Sequence, residues 1–183
     1  MLRMAEALRS GIHRRTLYAL RDAGLTEQLS RGLYRLADAQ PLGSPDLVAV
    51  AAKVPKGVIC LLSALAFHEL TTQIPHEVYV AISRNAEAPR LHHPPVRSFR
   101  FSGRAFSEGI ETHPIDEVPV RIYSREKTLA DSFKYRNKIG LDVALEALRD
   151  CWRQKKATMD DLHRAAVTRR MANVMRPYLE SLV

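Results

Sequence analysis

The spacing of hydrophobic positions near the start of the chain predicts two short helices followed by a β-hairpin. Residues 4–9 form a short amphipathic helix, and residues 13–23 form a second helix that ends at Gly24. A tight turn separates the two helices. Residues 29–36 form two short strands that turn around Gly32, a residue type that tolerates the backbone of a tight turn.

This order of elements is typical of the last part of a winged helix-turn-helix, in which the second helix lies in the major groove of DNA. A complete motif has a further helix before this pair, packed across its back. Because Met1 lies only a few residues before the first of these two helices, we expect the motif to be truncated: either the further helix is missing, or another part of the chain or a second protomer covers its place. Its absence would leave Leu2, Met4 and Leu8 partly exposed.

The remainder of the chain combines helical periodicity with period-two strands. Residues 37–45 hold two prolines and a glycine and are predicted as a linker. The pattern then predicts a helix from Ser44 to about Lys53 and a helix 63–70 capped by Ser63. Strands are predicted at residues 78–82, 96–101, 110–115 and 118–123. The predicted C-terminal helices are 124–138, capped by Ser124, then 141–155, one from 159 capped by Thr158, and 173–182.

The predicted fold class is therefore α+β, with two domains. A truncated winged helix-turn-helix occupies residues 1–38. An α+β domain with a small sheet and C-terminal helices occupies residues 44–183.

The charge of the chain favours a polyanionic partner. The net charge is +8 and the sequence pI is about 9.8. Residues 1–36 carry seven arginines against Glu6, Asp22 and Glu27, a net charge of +4. A basic surface of this kind is the electrostatic footprint of a nucleic-acid-binding domain.

The second helix carries the candidate DNA-binding residues. Leu17 and Leu20 should face the core, so the basic residues lie on other faces. The start of a recognition helix contacts base edges, and residues further along contact phosphates. The candidates for base contacts are His13, Arg14, Arg15 and Thr16, and those for the backbone are Tyr18 and Arg21. Arg31 at the wing tip could reach a phosphate or the minor groove, and Arg35 on the hairpin is a further DNA-binding candidate. A solvated basic face on a small helical domain remains the alternative interpretation.

Residue types that mark enzymes do not form a convincing pattern. His68-Glu69 lacks the second histidine of a zinc helix, because Thr72 stands four residues later, and His68 is predicted at the edge of the core. His92-His93 lies in a proline-rich loop and is expected to be exposed. A nuclease could be assembled only from Glu111, Asp116, Glu117 and Lys127. We therefore expect no enzymatic activity, metal or cofactor.

Cys60 and Cys151 follow no disulfide or metal-binding spacing, which suits a reducing compartment. No stretch approaches the length of a membrane span, and no signal peptide is recognisable. A cytoplasmic location without membrane contact is expected. Two further basic stretches, residues 84–104 with a net charge of +4 and residues 149–176 with +5, could extend a phosphate-binding surface or bind an acidic partner.

Several segments resemble the AbiEi-type antitoxins of type IV toxin–antitoxin (abortive infection) systems. The segments are Arg14-Arg15-Thr16-Leu17-Tyr18-Ala19-Leu20 with residues 29–36, residues 58–75, residues 120–131 and residues 134–140. The resemblance implies an antitoxin that represses its own operon through the N-terminal domain. It also implies a cognate nucleotidyltransferase-like toxin, neutralised with the help of the C-terminal domain.

The leading hypothesis is a non-enzymatic DNA-binding antitoxin and autorepressor. Its DNA partner is its own promoter region, and it forms a homodimer on that DNA. The alternative is a protein–protein module that binds and neutralises the toxin directly without specific DNA binding.

Overall fold

The computed structural model describes residues 1–30, 32–38, 43–116 and 118–182 and has an α+β fold. The N-terminal unit begins with the short strand β1 (Leu2–Arg3), followed by α1 (Met4–Arg9), α2 (Arg14–Asp22), β2 (Thr26–Ser30) and β3 (Leu33–Leu36). Both helices of the predicted pair and the hairpin are therefore present. The hairpin is longer than predicted, because β2 begins at Thr26.

Local interactions fix both ends of α2. The His13 ring accepts a hydrogen bond from the backbone N–H of Arg15 at 3.3 Å and so caps the first turn. At the other end, Gly24 adopts φ +71°, and the N–H groups of Gly24 and Leu25 donate to the carbonyls of Arg21 and Leu20. This is a Schellman motif, which requires the left-handed backbone that glycine supplies.

The three N-terminal strands form one antiparallel sheet in the order β1–β3–β2. The strand β1 was not predicted from the sequence, because two residues carry no periodicity. Its partner β3 lies between the other two strands, and Tyr34 is paired with both Leu2 and Gln28. The buried side chains of Ala7, Leu17 and Tyr34 form the small core between the helices and this sheet.

The larger unit contains the other five strands and eight helices of the described residues. Its elements in order are α3 (Pro45–Lys53), β4 (Val58–Ile59), α4 (Leu61–Phe67), β5 (Val78–Ser83), β6 (Val96–Phe101), α5 (Arg104–Ser107), β7 (Ile110–Ile115), β8 (Val118–Tyr123), α6 (Arg125–Lys134), α7 (Arg136–Ile139), α8 (Leu141–Arg153), α9 (Met159–Thr168) and α10 (Ala172–Glu180). The strand order is β6–β5–β4–β8–β7. The sheet is mixed: β5 runs parallel to β6 and β4 parallel to β8, while the other two pairs are antiparallel.

Both faces of this sheet are covered by helices. Along β5, Val80 and Ile82 share a cluster with Val50 of α3. The alternate residues Tyr79 and Ala81 belong to the main core, which holds buried side chains of α4, α6, α8, α9 and α10. The period of two along the strand thus separates α3 on one face from most of the other helices on the opposite face.

Two predicted helix boundaries were wrong. Ser63 does not cap α4, which begins at Leu61; the buried Ser63 hydroxyl instead accepts a hydrogen bond from the Tyr79 N–H at 2.9 Å. The helix capped by Ser124 ends at Lys134 rather than near Lys138, and Tyr135 separates it from α7. The Tyr135 ring packs against the aromatic rings of β6, and this tertiary contact cannot be read from local spacing.

The division into domains 1–38 and 44–183 remains a prediction. The two sheets and their separate core clusters are consistent with it, and α3 contacts β2 across the division. Four residues of the predicted linker, 39–42, lie outside the described residues.

Candidate nucleic-acid interface

The first turn of α2 is an exposed polar surface. His13, Arg14, Arg15 and Thr16 are all exposed, while Leu17 directly after them is almost completely buried. The predicted inward face is therefore confirmed at Leu17, and Leu20 is partly buried. Among the described residues, neither Arg14 nor Arg15 forms an ion pair with an acidic side chain. Their guanidinium groups are available to an external acceptor.

Tyr18 and Arg21 form a stacked pair further along the helix. The guanidinium carbon of Arg21 lies 5.3 Å from the centre of the Tyr18 ring, and its Nη2 donates to the Asp22 carboxylate at 2.7 Å. This carboxylate raises the pKa of Arg21 above its ordinary value, so the side chain is always charged. A phosphate that binds Arg21 would share the guanidinium with Asp22.

A groove of about 380 Å³ separates α2 from the hairpin. Arg14, Tyr18 and Arg21 line it on the helix side, and Gln28, Gly32 and Tyr34 line it on the sheet side, with Met4 between them. Burial raises the pKa of Tyr34, so its hydroxyl stays protonated at neutral pH. The groove therefore combines cationic donors with neutral polar groups.

Gln28 and Tyr34 were missed by the sequence prediction. The predicted hairpin starts at Leu29 and therefore does not include Gln28. In the structure it is paired with Tyr34 across the hairpin, and both residues face α2. The signal that could have found Gln28 is a period of two extended by three residues toward Thr26, whereas Tyr34 already lies within the predicted hairpin.

Of the two candidate arginines on the hairpin, the structure describes the position of Arg35 alone. Arg35 forms an ion pair with Glu27 across the hairpin, and only 13% of its side chain is exposed. The structure does not bring Arg35 to the surface formed by Arg14 and Arg15. Arg31 lies outside the described residues.

The histidines considered for catalysis lie in different environments. His68 is buried and forms a 2.7 Å hydrogen bond with the Tyr123 carbonyl, and burial lowers its pKa. His92 and His93 are exposed in their loop, as predicted. Within the described ranges, no group of three or more His, Cys, Asp or Glu side chains could hold a metal ion.

The described members of the possible nuclease set each have another partner. Glu111 pairs with His113 at 3.0 Å, whereas Lys127 is buried and pairs with Asp131 at 2.5 Å. Of the other two members, Asp116 accepts a hydrogen bond from the Gly43 N–H, and Glu117 lies outside the described residues.

Residues 1–37 match the model of a family described as transcriptional regulator, AbiEi antitoxin. The match includes α1, α2 and the hairpin, and therefore all the candidate DNA-binding residues. It ends before α3 and does not extend to the larger unit. A comparison with curated proteins gave no match. In the described part of the chain, no helix is both long enough and apolar enough to cross a membrane.

Proposed function

We propose that this protein is a DNA-binding antitoxin of a type IV toxin–antitoxin system that represses its own operon. The observation that carries the proposal is the exposed, cationic first turn of α2, next to a groove closed on its other side by the hairpin. The similarity of residues 1–37 to AbiEi transcriptional regulators supports it. The protein acts in this role by binding, without catalysis.

The position of each side chain suggests a division of roles. Arg14 and Arg15, at the start of α2, read base edges in the major groove, where an arginine can donate two hydrogen bonds to guanine. Thr16 and His13 contribute shorter polar contacts, although the ring of His13 already accepts a hydrogen bond within the helix. Tyr18 and Arg21 bind phosphates further along the helix.

We propose in addition that the larger unit serves neutralisation of a nucleotidyltransferase-like toxin and that two copies bind one operator. The larger unit has its own sheet, covered on both faces, and its elements lie outside the matched residues. Two-fold symmetric operators and dimeric repressors commonly occur together, since each recognition helix reads one half-site. The location we propose is the cytoplasm.

The direct test is a DNA-binding titration with the protein's own upstream region and with a scrambled duplex of equal length. Each titration is run at two salt concentrations. We expect tighter binding to the upstream duplex and a steep loss of affinity with salt, because phosphate contacts release counterions. Arg14→Ala or Arg15→Ala should lower the preference for the upstream duplex by about 1–3 kcal/mol.

Three results would contradict parts of this proposal. Equal, weak binding to both duplexes would refute specific repression. Copurification of the toxin with DNA-free protein, together with such weak binding, would instead support a module that neutralises the toxin directly. Equal losses on both duplexes for the arginine variants would refute their role in reading bases.

A further inference from the structure

The C-terminal end of α3 lies beside the groove of the N-terminal unit. Lys53, the last residue of α3, is exposed, and α3 contacts β2 of the hairpin. The Lys53 ammonium nitrogen lies 3.6 Å from the position that a Cβ atom would take at Gly32. Gly32 lines the groove together with Arg14 and Arg21. A cation of the larger unit therefore borders the groove that contains the candidate DNA-binding residues.

The surroundings of Lys53 in the chain are also cationic. Residues 47–68 contain Lys53 and Lys56 and no acidic residue. Arg121 of β8 donates a hydrogen bond to the Lys56 carbonyl at 3.0 Å, which places a third cationic residue at this end of the sheet. Lys53 is thus followed along the chain by a second lysine, which a third cationic residue contacts.

We propose that Lys53 binds a phosphate of the DNA held by α2 and the hairpin, so that the larger unit is part of the DNA interface. This inference rests on the proposed function. A lysine ammonium is a flexible point charge without the planar fork of arginine, so its contact with a phosphate carries no base preference. Lys53 should therefore contribute equally to the affinity for any duplex.

The test compares Lys53→Gln with a matched control, Lys134→Gln. Lys134 is likewise an exposed lysine at the last position of its helix, α6. Both changes remove one charge and one favourable interaction with a helix C-terminus. The core contacts of α6 lie on the face of the sheet opposite α3. The readout is the slope of the logarithm of the binding constant against the logarithm of salt concentration.

Loss of one phosphate contact should reduce the steepness of that slope by about 0.9. We expect this reduction for Lys53→Gln on both the upstream and the scrambled duplex, with an unchanged ratio of the two affinities. Lys53→Arg should keep the wild-type slope, and so should Lys134→Gln. Thermal unfolding of each variant confirms that it is folded.

The failure of this inference can be distinguished from the failure of the proposed function. If Arg14→Ala loses preference while Lys53→Gln keeps the wild-type slope, Lys53 is not a phosphate contact, although the repressor function stands. Equal reductions for Lys53→Gln and Lys134→Gln would reflect net charge alone and would also overturn the inference. If the wild-type protein shows no salt-dependent DNA binding, the proposed function itself is refuted.

Discussion

Replacing Asp131 should destabilise the larger unit strongly, because this carboxylate is the anion shared by two buried cations. Asp131 is completely buried on α6 and accepts hydrogen bonds from Lys127 and from Arg169. The side chains of Lys127 and Arg169 are only 5% and 8% exposed. Burial lowers the pKa of Lys127 and raises that of Asp131, whereas their ion pair opposes both changes. Asp131→Asn keeps the shape of the side chain but leaves two cations without an anionic partner.

The expected loss can be worked from these contacts. Removing one partner of a buried ion pair typically costs roughly 3–5 kcal/mol. Aromatic rings next to Lys127 and Arg169 offset part of this cost. The Lys127 ammonium lies 3.8 Å from the centre of the Tyr123 ring, and the Arg169 guanidinium lies 5.1 Å from that of Phe101. Cation–π contacts contribute about 0.5–2 kcal/mol each. We therefore expect Asp131→Asn to lower the free energy of unfolding by about 3 kcal/mol.

The assay is urea denaturation followed by circular dichroism, with the free energy extrapolated to water. Glu87→Gln is the control, because it breaks the Glu87–Arg90 pair, whose side chains are 81% and 90% exposed. That change should alter stability by less than about 1 kcal/mol. A loss for Asp131→Asn no larger than that of the control would refute the argument that desolvated charge makes Asp131 essential.

Three further substitutions test other parts of the fold. Burial lowers the pKa of His68, so the folded state binds a proton at this side chain less readily than the unfolded state does. The free energy of unfolding of the wild type should therefore fall as the pH decreases below about 6.5. In urea denaturation at a series of pH values, His68→Gln should reduce that fall. Gly57→Ala should lower the free energy of unfolding by about 1–3 kcal/mol, since its Cβ would lie 2.8 Å from a Val80 methyl group. The control Gly43→Ala meets no atom within 4 Å and should be near neutral in the same assay. Ser124→Ala removes the N-cap of α6 and should lower the free energy of unfolding by about 1 kcal/mol. A change below measurement error would show that the cap does not contribute to stability.

Elements with local signals were predictable from the sequence. The hairpin of residues 110–115 and 118–123 has the predicted bounds, because alternating side chains define both strands. Ser124 and Thr158 cap their helices as expected, since a hydroxyl side chain before a helical pattern is a local device. Elements that depend on distant partners were missed. The strand β1 exists only through its pairing with β3, and Tyr135 interrupts a helical pattern by packing against strand β6.

The candidate site shows the same limit at the level of single side chains. The spacing of residues on α2 identified the inward position of Leu17, and hence which arginines are exposed, because one helix carries all of that information. The spacing could not distinguish Arg35 from Arg14. Arg35 forms an ion pair with Glu27 on the neighbouring strand, whereas Arg14 has no acidic partner among the described residues. Nor could the spacing place Lys53 beside Gly32, because that proximity arises from the contact of α3 with the hairpin. A count of basic residues therefore predicts the class of partner, whereas the pairing of each charge decides which residues remain to bind it.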